Sequence, residues 1–182
     1  MSRILVFGGA RSGKSSYAEK LALQSGKRVV YIATAQAGDE EMQARIALHR
    51  QQRPANWITV EQNLALADAI RQHATPHTLV LVDCLTVWLS NLLFSEQRDY
   101  PEVGKLNPPD SFSQQRAQFL QVLQEVTSDV VLVSNEVGMG IVPQGAVSRW
   151  FVDEAGRLNQ AVAAACDRVF LVAAGLPLAL KG

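Results

Sequence analysis

Residues 8–15 read Gly8-Gly9-Ala10-Arg11-Ser12-Gly13-Lys14-Ser15, which sets two glycines, a lysine and a hydroxyl at the G-x-x-x-x-G-K-[ST] spacing. Each type has a task there. Glycines let the backbone turn tightly and aim N–H groups at one point, and the lysine reaches the outer phosphates of a polyphosphate. The serine hydroxyl takes a place on Mg²⁺. The flanks agree: Ile4-Leu5-Val6-Phe7 is a short apolar run suited to a buried strand, and the residues from Ser16 to Ala22 read as the first turns of a helix. A helix N-terminus adds partial positive charge at that point. The stretch is a phosphate-binding P-loop. Gly8, Gly9, Ala10, Arg11, Ser12, Gly13, Lys14 and Ser15 are its expected nucleotide contacts, and Lys14 is also expected to act in catalysis.

A second candidate lies at Leu79-Val80-Leu81-Val82-Asp83, an apolar strand that ends in a carboxylate. An aspartate in that position holds Mg²⁺ in P-loop proteins, so Asp83 joins Ser15 as a metal residue. The lesser alternative, compatible with the first, is that it caps the helix expected from Leu85. Asn135-Glu136 closes another apolar run, which makes Glu136 a further candidate for a base or for the metal's surroundings. Ser134-Asn135-Glu136-Val137 is not the N-K-x-D run by which switch GTPases read their base.

Residues 39–54 read as one helix, with acidic residues at its start, basic residues at its end and Pro54 closing it. Met42, Ile46, His49 and Arg53 share a face, with Arg45 one turn before His49. Spacing alone favours a packed or partner-facing histidine. The chemical alternative is a nucleophile: a neutral imidazole can attack phosphorus, and the guanidinium groups around it would lower its pKa and attract phosphate.

These residues need a scaffold. Five apolar, β-branched runs (Ile4–Phe7, Arg28–Ala33, Thr78–Val82, Val130–Ser134 and Val169–Ala173) alternate with helical stretches at Gln62–His73, Ser113–Val126 and Gly145–Cys166. Strands apolar on both faces, separated by helices, predict a mostly parallel central sheet covered on both sides. At 182 residues, 48% of them apolar, the chain is expected to form a single domain over residues 1–182. Formal net charge is zero, which disfavours nucleic acid as a partner. No segment has the length of a membrane span, and with a strand beginning by residue 4 a cytoplasmic location is expected. The two cysteines, Cys84 and Cys166, sit in apolar runs and read as core residues. Ser95–Ser111, with Pro101, Gly104, Pro108 and Pro109, reads as a lid or a variable surface loop.

Further motifs narrow the reading. Tyr31-Ile32-Ala33-Thr34, Arg45-Ile46, His49-Arg50, Arg53-Pro54, Trp57, Thr59, Glu61, the run from Asn135 to Pro143, Arg149, Phe151, Asp153, Gly156-Arg157, Asn159-Gln160 and Asp167 follow the P-loop in order. With these motifs the chain resembles the bifunctional adenosylcobinamide kinase/adenosylcobinamide-phosphate guanylyltransferases of cobalamin biosynthesis over nearly its whole length. The resemblance implies a P-loop NTPase fold and two reactions. Adenosylcobinamide is first phosphorylated by ATP or GTP. GMP then passes from GTP, through a histidine matching His49, to adenosylcobinamide phosphate, with loss of pyrophosphate. It also implies nucleotide contacts at Thr34, Ala35, Gln36, Arg50, Gln51, Gln52, Arg53, Glu61 and Asp83, Mg²⁺ as cofactor, and assembly as a homo-oligomer, a trimer. The alternatives are a single-function P-loop kinase of another small alcohol, and a regulatory nucleotide switch.

Overall fold

The computed structural model describes residues 1–35, 54–96 and 98–182. Seven strands among them form one sheet: β1 (Arg3–Gly8), β2 (Arg28–Ala33), β3 (Ile58–Glu61), β4 (Thr78–Asp83), β5 (Asp129–Asn135), β6 (Arg168–Ala173) and β7 (Leu176–Lys181). The helices are α1 (Lys14–Gln24), α2 (Leu66–His73), α3 (Leu85–Leu93), α4 (Asp110–Glu125) and α5 (Ala146–Ala165). The order across the sheet is β3-β2-β4-β5-β1-β6-β7, parallel except for the β6–β7 hairpin. The five expected strands are all present.

Alternating residues send the five interior strands into two cores. Leu5, Val30, Ile32, Val80, Val82, Val130 and Leu132 meet α2 to α5 on one face. Ile4, Val6, Val29, Tyr31, Leu79, Leu81, Val131 and Val133 meet α1 on the other. This is why the runs read as continuously apolar and not as alternating.

Two strands escaped the sequence reading. β3 is four residues at the sheet edge, half exposed, and too short to stand out. β7 carries Pro177 and three exposed leucines, Leu176, Leu178 and Leu180, a pattern allowed only because it is an edge. Helix α2 starts four residues later than its periodicity suggests. The Gln62 side chain accepts from the amides of Leu64 and Ala65, at 3.2 and 3.1 Å, and folds that stretch into a turn instead. Helix α4 begins at Asp110, inside the expected loop, with Pro109 just before it. The rest of that loop lies against the body: the Tyr100 hydroxyl donates to Leu93 O at 2.6 Å, Leu106 is buried, and Glu102 O accepts from Ala146 N. The expected helix over 39–54 falls outside the described residues up to residue 53.

Candidate active site

The P-loop leaves β1 at Gly8 and enters α1 at Lys14. Gly8 is required by packing, because a Cβ there would meet Val172 O at 2.3 Å. Arg11 (φ 55°) and Gly13 (φ 91°) are both left-handed and bend the chain around the cradle. The loop is pinned from the far side by Gly175, in the β6–β7 turn, whose N–H donates to Ser12 O at 2.8 Å. Lys14 is buried, and its ammonium spans the loop to donate to Gly9 O at 3.1 Å. The Ser12 hydroxyl is buried with no hydrogen-bond partner among the described residues. The first turn of α1 has no side-chain cap, so its leading amides stay open to an anion.

Asp83 ends β4, but β4 does not adjoin the P-loop strand. β5 lies between them, with Asn135 opposite Gly8 and Val133 opposite Asp83. At the usual strand spacing and rise, two strands across and two residues along, Gly8 and Asp83 stand about 12 Å apart. That gap, at the carboxyl ends of parallel strands, suits a phosphate chain and a cation. The Tyr31 hydroxyl donates to Asp83 Oδ2 at 3.1 Å.

Much of the remaining polar rim is occupied with itself. The Thr34 hydroxyl donates to Cys84 O and accepts from Cys84 N, both at 2.8 Å, while Thr34 N donates to Asp83 O and Thr34 O accepts from Asn91. Every polar group of the expected ligand Thr34 is therefore engaged inside the protein. Asn135 N donates to the Thr86 hydroxyl at 2.6 Å, that hydroxyl lies 3.2 Å from the Ser134 hydroxyl, and Ser134 donates to Asn159 Oδ1 at 2.6 Å. This chain ties β5 to α3 and α5. Burial, reinforced by the charge of Asp83, pushes the Cys84 thiol up to about 12, and burial likewise pushes Cys166 up to about 12. Both remain protonated, free thiols within the core at neutral pH. Glu136, the candidate base, spends its Oε1 on the amides of Gly138 and Met139, while Glu136 N donates to Gly8 O. It braces the exposed, apolar stretch from Val137 to Val142.

The expected contacts thus divide in space. Gly8 to Ser15 and Asp83 share the crevice above β1 and β4. Ala35 and Glu61 stand toward the other edge, with Glu61 ending β3 opposite Ala33, about 20 Å from β1 across the sheet. Gln36, His49, Arg50, Gln51, Gln52 and Arg53 lie outside the described residues. They belong to the segment that leaves after Ala35 and returns at Pro54, between β2 and β3. Two features went unread in the sequence, the Tyr31–Asp83 bond and the unpartnered Ser12 hydroxyl. The first had a signal, since a tyrosine in the otherwise apolar strand Arg28–Ala33 needs a partner for its hydroxyl.

Comparison with solved structures shows the fold. An ATPase from the type III secretion system of pathogenic bacteria matches 98% of this chain and 56% of its own, with TM-score 0.54 at 15% identity. Relatives are closer in sequence. The chain is 51% identical over 180 residues to the bifunctional adenosylcobalamin biosynthesis protein CobP of Pseudomonas aeruginosa, covering 99% of this chain and 98% of that one. It is 44% identical over 187 residues to the bifunctional adenosylcobalamin biosynthesis protein CobU of Escherichia coli, covering 98% and 99%. The family model described as cobinamide kinase / cobinamide phosphate guanyltransferase matches residues 4–180. With a P-loop, a strand-end aspartate and a match over nearly its full length, the chain belongs to the cobinamide kinase / cobinamide phosphate guanyltransferase family and is an enzyme with those two transferase activities.

Proposed function

We propose that this enzyme, acting as one domain in the cytoplasm and assembled as a trimer, phosphorylates adenosylcobinamide at the P-loop crevice. It then delivers GMP to the resulting phosphate through His49. The observation that carries the kinase half is the convergence of the open α1 amides, Lys14 and Asp83 around one gap at the carboxyl ends of the sheet. ATP or GTP lies with its phosphates along residues 8–15. The substrate hydroxyl attacks the γ-phosphorus, the bond to the bridging oxygen breaks, and Lys14 and the loop amides stabilise charge on the departing diphosphate.

The donor set fits Mg²⁺. Among the described residues no group of three or more His, Cys, Asp and Glu gathers to cage a metal. One carboxylate (Asp83) and one hydroxyl (Ser15) beside a phosphate site match a cation that keeps several waters and takes its other ligands from the substrate. Bound there, Mg²⁺ would neutralise developing phosphate charge.

In the transfer half, an imidazole nitrogen of His49 attacks the α-phosphorus of GTP and pyrophosphate leaves. A phosphate oxygen of adenosylcobinamide phosphate then displaces the histidine, giving adenosylcobinamide-GDP. The position of Glu61 and Ala35 on either side of the His49 segment supports their service to this half, with Gln36 and the residues 50–53.

The test is incubation with Mg²⁺ and GTP labelled at the α-phosphate, resolved on a denaturing gel. Acid-labile, alkali-stable label on wild type and none on His49→Ala is the expected outcome. An unlabelled wild type that still binds GTP would overturn the histidine intermediate and leave a kinase alone.

A further inference from the structure

Tyr31 lies at the middle of β2 opposite Leu81, two residues short of Asp83 on the neighbouring strand. Residues two apart on a strand share a face, so the tyrosine and the carboxylate form a diagonal cross-strand pair on the α1 side of the sheet. The tyrosine is 3% exposed. Its hydroxyl is the one hydrogen-bond donor to the Asp83 carboxylate among the described residues, at 3.1 Å from Oδ2. Trp57 stacks over the same ring, centroids 6.4 Å apart and planes 27° apart. The Trp57 backbone N–H donates to Pro54 O at 3.0 Å, where the His49 segment re-enters the fold.

We propose that Tyr31 is a positioning residue for the metal carboxylate. A carboxylate with no hydrogen bond would rotate about its last torsion. Holding Oδ2 on a buried O–H fixes the plane of the group and keeps Oδ1 available as an acceptor toward the crevice. The Trp57 stack keeps the tyrosine itself in place. Groups that orient a metal-binding carboxylate in this way typically account for ten- to a hundredfold in metal affinity. The inference rests on the reading of Asp83 as a metal residue.

Tyr31→Phe keeps the ring, its packing and the Trp57 stack, and deletes only the hydroxyl. The experiment titrates Mn²⁺ by electron paramagnetic resonance into enzyme saturated with a non-hydrolysable GTP analogue. The analogue's affinity in EDTA is measured in parallel. Mn²⁺ affinity about tenfold weaker in Tyr31→Phe, with analogue affinity in EDTA within about twofold of wild type, is expected. Asp83→Asn separates the two layers of the argument. If Asp83→Asn weakens Mn²⁺ binding and Tyr31→Phe leaves it within about twofold of wild type, the tyrosine does not position the carboxylate and the proposal is overturned alone. If Asp83→Asn leaves Mn²⁺ affinity unchanged, the metal reading of Asp83 falls and the role of Tyr31 falls with it. An equal loss of analogue affinity in EDTA by Tyr31→Phe would assign the hydroxyl to structure and likewise overturn the proposal.

Discussion

The two ends of the parallel sheet use the same residue type in opposite ways. At the amino end, Asp129 accepts from Ser2 N at 2.7 Å and from the Lys27 ammonium at 2.9 Å, with the chain's amino group 3.6 Å away. Asp167 accepts from Arg3 N at 2.7 Å and faces the Arg3 guanidinium at 3.5 Å. Both carboxyls are held below the usual carboxylate range. For Asp129 the penalty of burial is outweighed by Lys27 and the Ser2 amide; for Asp167 the Arg3 amide leads. Among the described residues at the carboxyl end, Asp83 has one neutral hydroxyl for company, Lys14 rests on a single carbonyl, and the Ser12 hydroxyl has no partner. Saturated charges clamp β1 in place, and unsaturated ones wait beside it. The degree of pairing separates scaffold from chemistry where residue type does not.

That contrast can be broken most forcefully at Lys14. Lys14→Ala should lower kcat/KM for phosphoryl transfer by about 10²–10³, while thermal unfolding shifts by no more than about 1 kcal/mol. A large loss of stability with modest loss of activity would move Lys14 into the scaffold. The reverse profile is expected at Asp129. A carboxyl whose folded pKa lies below its unfolded value stabilises the fold above the unfolded pKa, near 4, and loses that contribution as pH falls through the folded value. Asp129→Asn should therefore lower stability at pH 7 by about 1–2 kcal/mol, flatten the acid limb of the stability curve below about pH 4, and leave kcat/KM within about twofold. Urea unfolding from pH 2.5 to 7 beside steady-state assays would decide it. The smallest effect belongs to Ser12→Ala. Removing a buried, unpartnered hydroxyl should raise the stability of the nucleotide-free enzyme by about 1 kcal/mol and weaken GTP binding several-fold. Unchanged GTP affinity would place that hydroxyl outside the phosphate cradle.

Legibility in the sequence followed the same division. The P-loop, the five interior strands and the placement of Asp83 at a strand end were readable because apolar periodicity and a local motif encode them. The insertion of β5 between β1 and β4 was not, since strand order depends on which faces the connecting helices cover. Nor was the closure of Thr34 on Cys84, which joins residues 50 positions apart. Glu61 could be read as the start of a helix until the Gln62 side chain, folded over the amides of Leu64 and Ala65, made it the end of a strand. Edge strands β3 and β7 lack the doubly apolar pattern that made the others visible. The nucleophile assignment at His49 came from resemblance, and its segment lies outside the described residues.

The bond from Gly175 N to Ser12 O has a consequence for the order in which the molecule is made. The phosphate cradle is synthesised about 160 residues before the turn that pins it. Yet β1 is flanked by β5 and β6, and Gly8 packs against Val172. The loop is finished by residues made long after it, so the nascent chain carries its nucleotide motif well before it carries a nucleotide site.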